Sequence, residues 1–397
     1  MSKLPLKNIK VIEFSHMVMG PSAGMMLADL GAEVIKVEPI GGDKTRKLKG
    51  SGAGYFAMYN RNKQSICVDM KSDEGIKIVT KLIEGADVVI ENFRAGALDK
   101  LGLGYPQLSK INDQLIFMSA KGFLKGPYQN RTALDEVAQM MGGLAYMTGP
   151  SGRPLRAGAS VIDVMGGMFG VIGILAALVQ RPESGTGQHV TSSLFESTVF
   201  LMGQHMAQEV VTGKAPDPMP ERISAWAIYD VIEVKNSKKL FVAVVSDTQW
   251  KKFCVKFEFN GFIDNAEMET NGQRIDQREV ILSAVRNKFK QIELTDLMAD
   301  LEAIGLPYAP INRPQDLASD PHLQASGGLL DVELNDDSVA QLPALPIEFD
   351  GERLGITRDI PHIGEHTTEV LMSLGYTESQ IEAINCIYSI ERHNDIS

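Results

Sequence analysis

Asp163 is the carboxylate that this chain would find most expensive to bury. It is the one charge in the 19 residues of VIDVMGGMFGVIGILAALV, residues 161–179. An unpaired carboxylate in such surroundings either holds its proton to higher pH or collects hydrogen-bond donors. Ser160 offers a structural account: with Ser160 as N-cap and Asp163 at the third helical position, the pair forms a variant of the capping box. The two accounts are compatible, because donors at a helix N-terminus also hold a carboxylate ionised and aimed. A poorly hydrated, ionised carboxylate is a competent nucleophile.

The histidines offer less. His16 follows the first strand, where the loops of parallel sheets build binding sites. His205 stands among methionines at helical spacing and reads as a core residue. His362 and His366, in HIGEH, fit the letters H-x-x-E-H of one class of zinc peptidase, which needs a helix to bring both rings to one face. Pro361 and Gly364 make this segment a loop, so the sequence predicts no metal site. No H-E-x-x-H or P-loop motif occurs.

The elements that would position Asp163 are legible from the start. Lys10–Phe14 reads as a strand, Pro21 as a first helical position, and Gly31 as the end of that helix. Strands follow over 33–38, 86–91 and 114–119, alternating with helical patterns, which predicts a parallel sheet covered on both faces. The turn Gly20-Pro21-Ser22-Ala23-Gly24 lacks the G-x-G-x-x-G spacing of dinucleotide sites. Only Glu38, at the end of the second strand, supports an NAD-binding oxidoreductase. Residues 161–179 are long enough to cross a membrane, but their four glycines fit a tightly packed core helix better. The predicted organisation is a large domain over 1–205, a linker over 206–224, a small α+β domain over 225–315, and a return to the large domain over 316–397.

The chain has 397 residues, enough for two or three domains. Its three cysteines are far apart, with no C-x-x-C, which fits a reducing, cytoplasmic location. The opening residues lack the apolar run of a signal peptide. The net charge of −11 argues against a nucleic-acid binder. That charge is uneven: residues 291–397 balance at −16, leaving +5 for residues 1–290. Seven bases and one acid lie within 44–71, either as a solvated surface loop or as a receiver of a small polyanion.

Several segments together are specific. VIEFSHMVMGPSAGMMLADLGAEVIKVEP, YFAMYNRNKQSICVDMKSDEG, DVVIENFRAGALDKLGLGY, RAGASVIDVMGGMFGVIGILAALVQR and IPHIGEHTTEVLMSLGY occur in this order. They resemble the class III CoA-transferases, relatives of the formyl-CoA:oxalate and carnitine enzymes. The resemblance covers roughly residues 5–205 and 325–385, and it accounts for HIGEH without a metal. It implies a large Rossmann-like parallel-sheet domain with a smaller α+β domain, in an interlocked homodimer. It implies exchange of CoA between an acyl-CoA and a small carboxylic acid, with coenzyme A as substrate and no permanently bound cofactor. The family's catalytic aspartate falls on Asp163. Its CoA-contacting positions fall on Val18 and Met19, on Val68, Asp69, Met70 and Lys71, on Asn92, Phe93 and Arg94, on Lys100, and on Thr132, Ala133, Leu134 and Asp135. Backbone N–H groups near Gly142 and Gly143, or at the start of the Asp163 helix, are our expectation for the oxyanion donors.

The chain also departs from the family pattern. The formyl-CoA:oxalate enzymes carry a glycine-rich loop where this chain has ERISAWAIYD, which argues against oxalate as acceptor. Pro39 replaces an arginine found in some members, so one phosphate contact is missing or supplied by Arg46. The α-methylacyl-CoA racemases share this fold and use a histidine just before the aspartate matching Asp135. Here that residue is Leu134, which leaves a racemase without one of its proton carriers.

Overall fold

A computed structural model describes residues 4–384. Cys386, and with it part of the expected short terminal helix, lies outside the described residues. The chain forms two compact units, 1–220 with 321–397 and 221–320. The expected linker over 206–224 is shorter than predicted, because the helix Leu194–Thr212 runs into it.

The large unit is built on six parallel strands: β1 (Lys10–Phe14), β2 (Glu33–Glu38), β3 (Lys63–Cys67), β4 (Val88–Glu91), β5 (Ile116–Lys121) and β6 (His189–Ser193), in the order β3-β2-β1-β4-β5-β6. The strand order reverses direction between β1 and β4. In open parallel sheets that point leaves a crevice beyond the carboxyl ends of the strands, where ligands bind. The four predicted strands are present. The first helix, however, spans Met19–Asp29 and starts before Pro21.

Strands β3 and β6 escaped prediction because their sequences, KQSIC and HVTSS, show no apolar run. Strand β3 is nonetheless fully buried. Lys63 pairs with Glu13 at 2.7 Å, and Arg61, just before the strand, pairs with Asp29 at 2.7 Å. Lys36 on β2 bridges Glu13 and Asp43, at 3.2 and 3.1 Å. Buried charges persist only when paired in this way. Three of the seven bases over 44–71, Arg46, Arg61 and Lys63, are therefore tied to acids inside the fold, whereas Lys44, Lys47, Lys49 and Lys71 are exposed.

The Val161–Ser184 helix packs on the Met19–Asp29 helix through its glycines. A Cβ on Gly167 would lie 2.3 Å from Ser22 Oγ and 2.8 Å from the Met19 carbonyl. The opposite face leaves Met168, Ile172 and Val179 exposed, and the Leu194–Thr212 helix likewise exposes Phe200, Val210 and Val211. By length and composition the Val161–Ser184 helix is capable of crossing a membrane, but its glycine face is used for packing within the unit.

The small unit holds the antiparallel sheet β7 (Tyr229–Glu233), β8 (Lys239–Ala243) and β9 (Tyr308–Pro310). Helices cover it around an aromatic core of Trp250, Phe253, Phe257 and Phe289. Among the described residues of the ERISAWAIYD segment there is no regular element before Tyr229.

Candidate active site

A cleft of about 1110 Å³ opens in the large unit, at the carboxyl ends of β1, β4 and β5. The β1 loop contributes His16, Val18 and Met19, and the β4 loop contributes Asn92, Phe93 and Arg94. Asn92 joins the two loops: its Oδ1 accepts from His16 N at 3.0 Å, and its Nδ2 donates to His16 O at 2.7 Å. The same turn holds Met17 at φ 65°, and Met17 N donates to Thr45 Oγ1 at 3.0 Å. The His16 ring lies 5.7 Å from that of Phe93, and burial holds it below the usual histidine range, with Asp43 opposing.

Thr132, Ala133, Leu134 and Asp135 line the facing wall, with Asp163 beside them. Asp135 begins the helix Asp135–Met141. Its Oδ2 accepts from the backbone N–H groups of Ile162 and Asp163, at 2.9 and 3.2 Å. Its Oδ1 accepts from Gln139 Nε2 at 2.5 Å, and Gln139 Oε1 accepts from Ala157 N at 2.8 Å. Asp135 is thus the acid that caps the Val161–Ser184 helix. The expected Ser160–Asp163 capping box does not form, since the Ser160 side chain makes no cap hydrogen bond.

The consequence falls on Asp163. Burial and then the negative charge of Asp135 push its carboxyl up to about 7, with Arg156 opposing. The helix N-terminus does not hold it ionised, because Asp135 already occupies those donors. The same occupancy engages the Ile162 and Asp163 N–H groups that were expected to meet an oxyanion. Gly142 N donates to Ala138 O at 2.8 Å, and neither Gly142 nor Gly143 lines the cleft. The hydroxyl groups of Tyr55 and Ser160, 3.4 Å apart, do line it.

The other predicted contacts lie elsewhere. Val68 is buried in the core, and its N–H donates to Glu38 O at 2.9 Å. Asp69, Met70 and Lys71 follow it outside the cleft lining, as does Lys100. Lys71 and Lys100 are both exposed, in loops beyond the same carboxyl edge of the sheet. Arg46 is not a spare phosphate contact, because its Nε and Nη2 grip Glu38 at 2.8 and 2.6 Å. Glu38 is correspondingly held low by Arg46 against burial, and it is occupied rather than free for a ribose.

Sequence reasoning missed four cations that line the cleft: Lys49, Lys121, Arg131 and Arg156. Lys49 was within reach, since it belongs to the basic stretch. Arg131 directly precedes Thr132. Lys121 pairs with Glu91 at 2.7 Å, and Arg156 pairs with Glu136 at 2.5 Å.

The histidines of HIGEH have structural partners. His366 Nδ1 accepts from Ser65 N at 3.3 Å, and Gly364 N donates to Ser65 Oγ at 2.9 Å, which clasps this segment to β3. His205 was expected in the core. It is only partly covered, on the outward helix Leu194–Thr212, with Nε2 3.2 Å from Gln204 Nε2.

The parallel sheet thus has a switch-point cleft with a half-buried, basic carboxylate in its lining. The chain belongs to CoA-transferase family III, whose model matches residues 6–367. It is similar to a succinate–glutarate CoA-transferase of Agrobacterium fabrum, with 34% identity over 94% of this chain and 96% of the relative. It is similar to a formyl-CoA:oxalate CoA-transferase of Shigella sonnei, with 31% identity over 97% and 99%. Among solved structures it is similar to a CAIB/BAIF family protein from Brucella suis, with a TM-score of 0.82 and 34% identity over 93% and 99% of the two chains. It is an enzyme of CoA transfer, and the family works on CoA thioesters.

Proposed function

We propose that this enzyme moves CoA from an acyl-CoA to a free carboxylic acid through a covalent intermediate on Asp163. The observation that carries this reading is a carboxylate raised to about 7 in a cleft of about 1110 Å³. A basic, poorly solvated carboxylate is the stronger nucleophile. Asp163 attacks the donor thioester carbonyl and releases CoA thiolate, which leaves a mixed anhydride. The thiolate attacks the Asp163 carbonyl of that anhydride, which forms an aspartyl-CoA thioester and frees the donor acid. An acceptor carboxylate then attacks the aspartyl thioester, and the same two steps run in reverse. One thioester replaces another, so the exchange needs no external energy source.

In this proposal the CoA chain runs along Val18, Met19, Asn92, Phe93 and Thr132–Asp135. Its phosphates meet Arg94, with Lys49 and Arg131 as further cations. Val68–Lys71 and Lys100 then serve the end of the molecule that projects past the cleft. The relatives' names support a dicarboxylic acceptor with succinyl-CoA as donor, and the absence of a glycine run in ERISAWAIYD argues against oxalate. The interlocked homodimer is supported by the uncovered apolar residues on the two long helices, of a kind that marks association surfaces. Sedimentation at micromolar concentration should show a dimer, and a monomer contradicts this. The buried thiol of Cys254 fits a reducing cytoplasm.

The test is a screen of acceptor acids against succinyl-CoA, read by mass spectrometry, with a parallel incubation in deuterated water. Transfer to glutarate or a similar acid without rapid α-exchange is the expected result. Rapid α-exchange without an acceptor would point instead to a racemase.

A further inference from the structure

We propose that Arg156 is a positioning residue that sets both the aim and the ionisation of Asp163. This rests on the reading of Asp163 as nucleophile. Arg156 lies at the start of the segment that leads into the Val161–Ser184 helix. Its Nε donates to Ala157 O at 3.1 Å and its Nη2 to Ala159 O at 3.1 Å. One guanidinium therefore folds the segment back on itself directly before the first turn that carries Asp163. The other face of the same group meets acids, with Nη1 2.5 Å from Glu136 Oε1 and Nη2 3.5 Å from Asp135 Oδ1. Asp135 in turn receives the N–H groups of Ile162 and Asp163. Arg156 thus ties the start of the Asp135–Met141 helix to the segment that leads into the Asp163 helix, and places its positive charge near three carboxylates.

The charge balance at Asp163 follows from these neighbours. Asp135 and Glu136 disfavour its ionised form, and Arg156 is the cation that opposes them. The short helix Tyr55–Tyr59 faces the same region; burial and then Asp163 hold the Tyr59 proton on, and the Tyr55 hydroxyl lies 3.4 Å from that of Ser160. A carboxylate that must ionise in order to attack is basic here because of burial and then the acids, and usable near neutral pH because the arginine opposes them. A lysine would keep the charge, but it cannot place donors on two carbonyls and two carboxylates at once.

The experiment measures kcat/KM against pH with succinyl-CoA and glutarate, for the wild type and three variants. Arg156→Gln should move the acidic limb up by about one pH unit, a loss of roughly tenfold below the limb and little above it. Arg156→Lys should leave the limb in place and lower kcat at every pH. Glu136→Gln, at an exposed position, should move the limb down, and it keeps the test open if Arg156→Gln does not fold. A limb that stays fixed in both Arg156→Gln and Glu136→Gln overturns the proposal, as does Arg156→Lys behaving as Arg156→Gln. Asp163→Asn is the control that separates the two ideas. If it remains active, the nucleophile reading itself fails; if it is inactive and the limb is fixed, only the role of Arg156 fails.

Discussion

The carboxylate of Asp135 accepts the backbone N–H of Asp163 at 3.2 Å, so one acid caps the helix whose first turn carries the other. A helix N-terminus normally favours a nearby carboxylate. Here the benefit goes to Asp135, and Asp163 bears the penalties of burial and of a like charge, with Arg156 opposing them. In the proposed mechanism this makes Asp163 a better nucleophile at a cost to the fold, a trade found at many active sites.

That trade has a measurable sign. Asp163 binds its proton to about pH 7 in the folded protein and to about 3.9 when unfolded. Between those values the folded state holds more protons, so stability from this group is present at low pH and falls as pH rises through the window. Asp163→Asn cannot ionise. It should stabilise the protein by about 1–3 kcal/mol at pH 8 and by little at pH 4, read from denaturant unfolding at both pH values. Equal stability at pH 8 would contradict the raised ionisation.

The glycine contact between the two helices behind the cleft is tight enough to test by a single methyl group. A Cβ at position 167 would meet the backbone carbonyl of Met19, which cannot swing aside like a side-chain tip. Gly167→Ala should cost about 1–3 kcal/mol by overpacking. It should also weaken CoA binding, because Met19 lines the cleft. Full stability with unchanged affinity would argue against this packing.

The cations around the cleft divide by position. Arg94 lines it, whereas Lys100 lies outside the lining. Loss of a charge-assisted contact to phosphate costs about 1.5–3 kcal/mol. Arg94→Ala should therefore weaken CoA binding about tenfold or more by calorimetry. Lys100→Ala should have a smaller effect that fades with added salt. The reverse ranking would place the phosphates beyond the cleft.

How much of this was legible in sequence depended on whether a local pattern carried the signal. Asp163 was conspicuous because its neighbours are apolar. The strands β1, β2, β4 and β5 were conspicuous because parallel, doubly covered strands read as apolar runs. Strand β3 was not, since Lys63 is buried against Glu13, a partner fifty residues away. The same reason hid the fate of Arg46, whose bond to Glu38 no short-range rule requires. Ser160 satisfied the letters of a capping box, but the donors went to Asp135 from another helix, which only the tertiary fold could supply. Arg156 carried no local signal at all, because its meaning lies in Asp135 and Glu136, twenty residues or more away in the chain.

The central claim is that Asp163 becomes covalently acylated and then thioesterified during turnover. Hydroxylamine added to enzyme turning over succinyl-CoA, followed by proteolysis and mass spectrometry, tests it most directly. The expected result is a hydroxamate on the peptide containing Asp163, formed only when acyl-CoA is present, and none in Asp163→Asn. Full CoA exchange with an unmodified Asp163 peptide, or a hydroxamate on another acid, would contradict it.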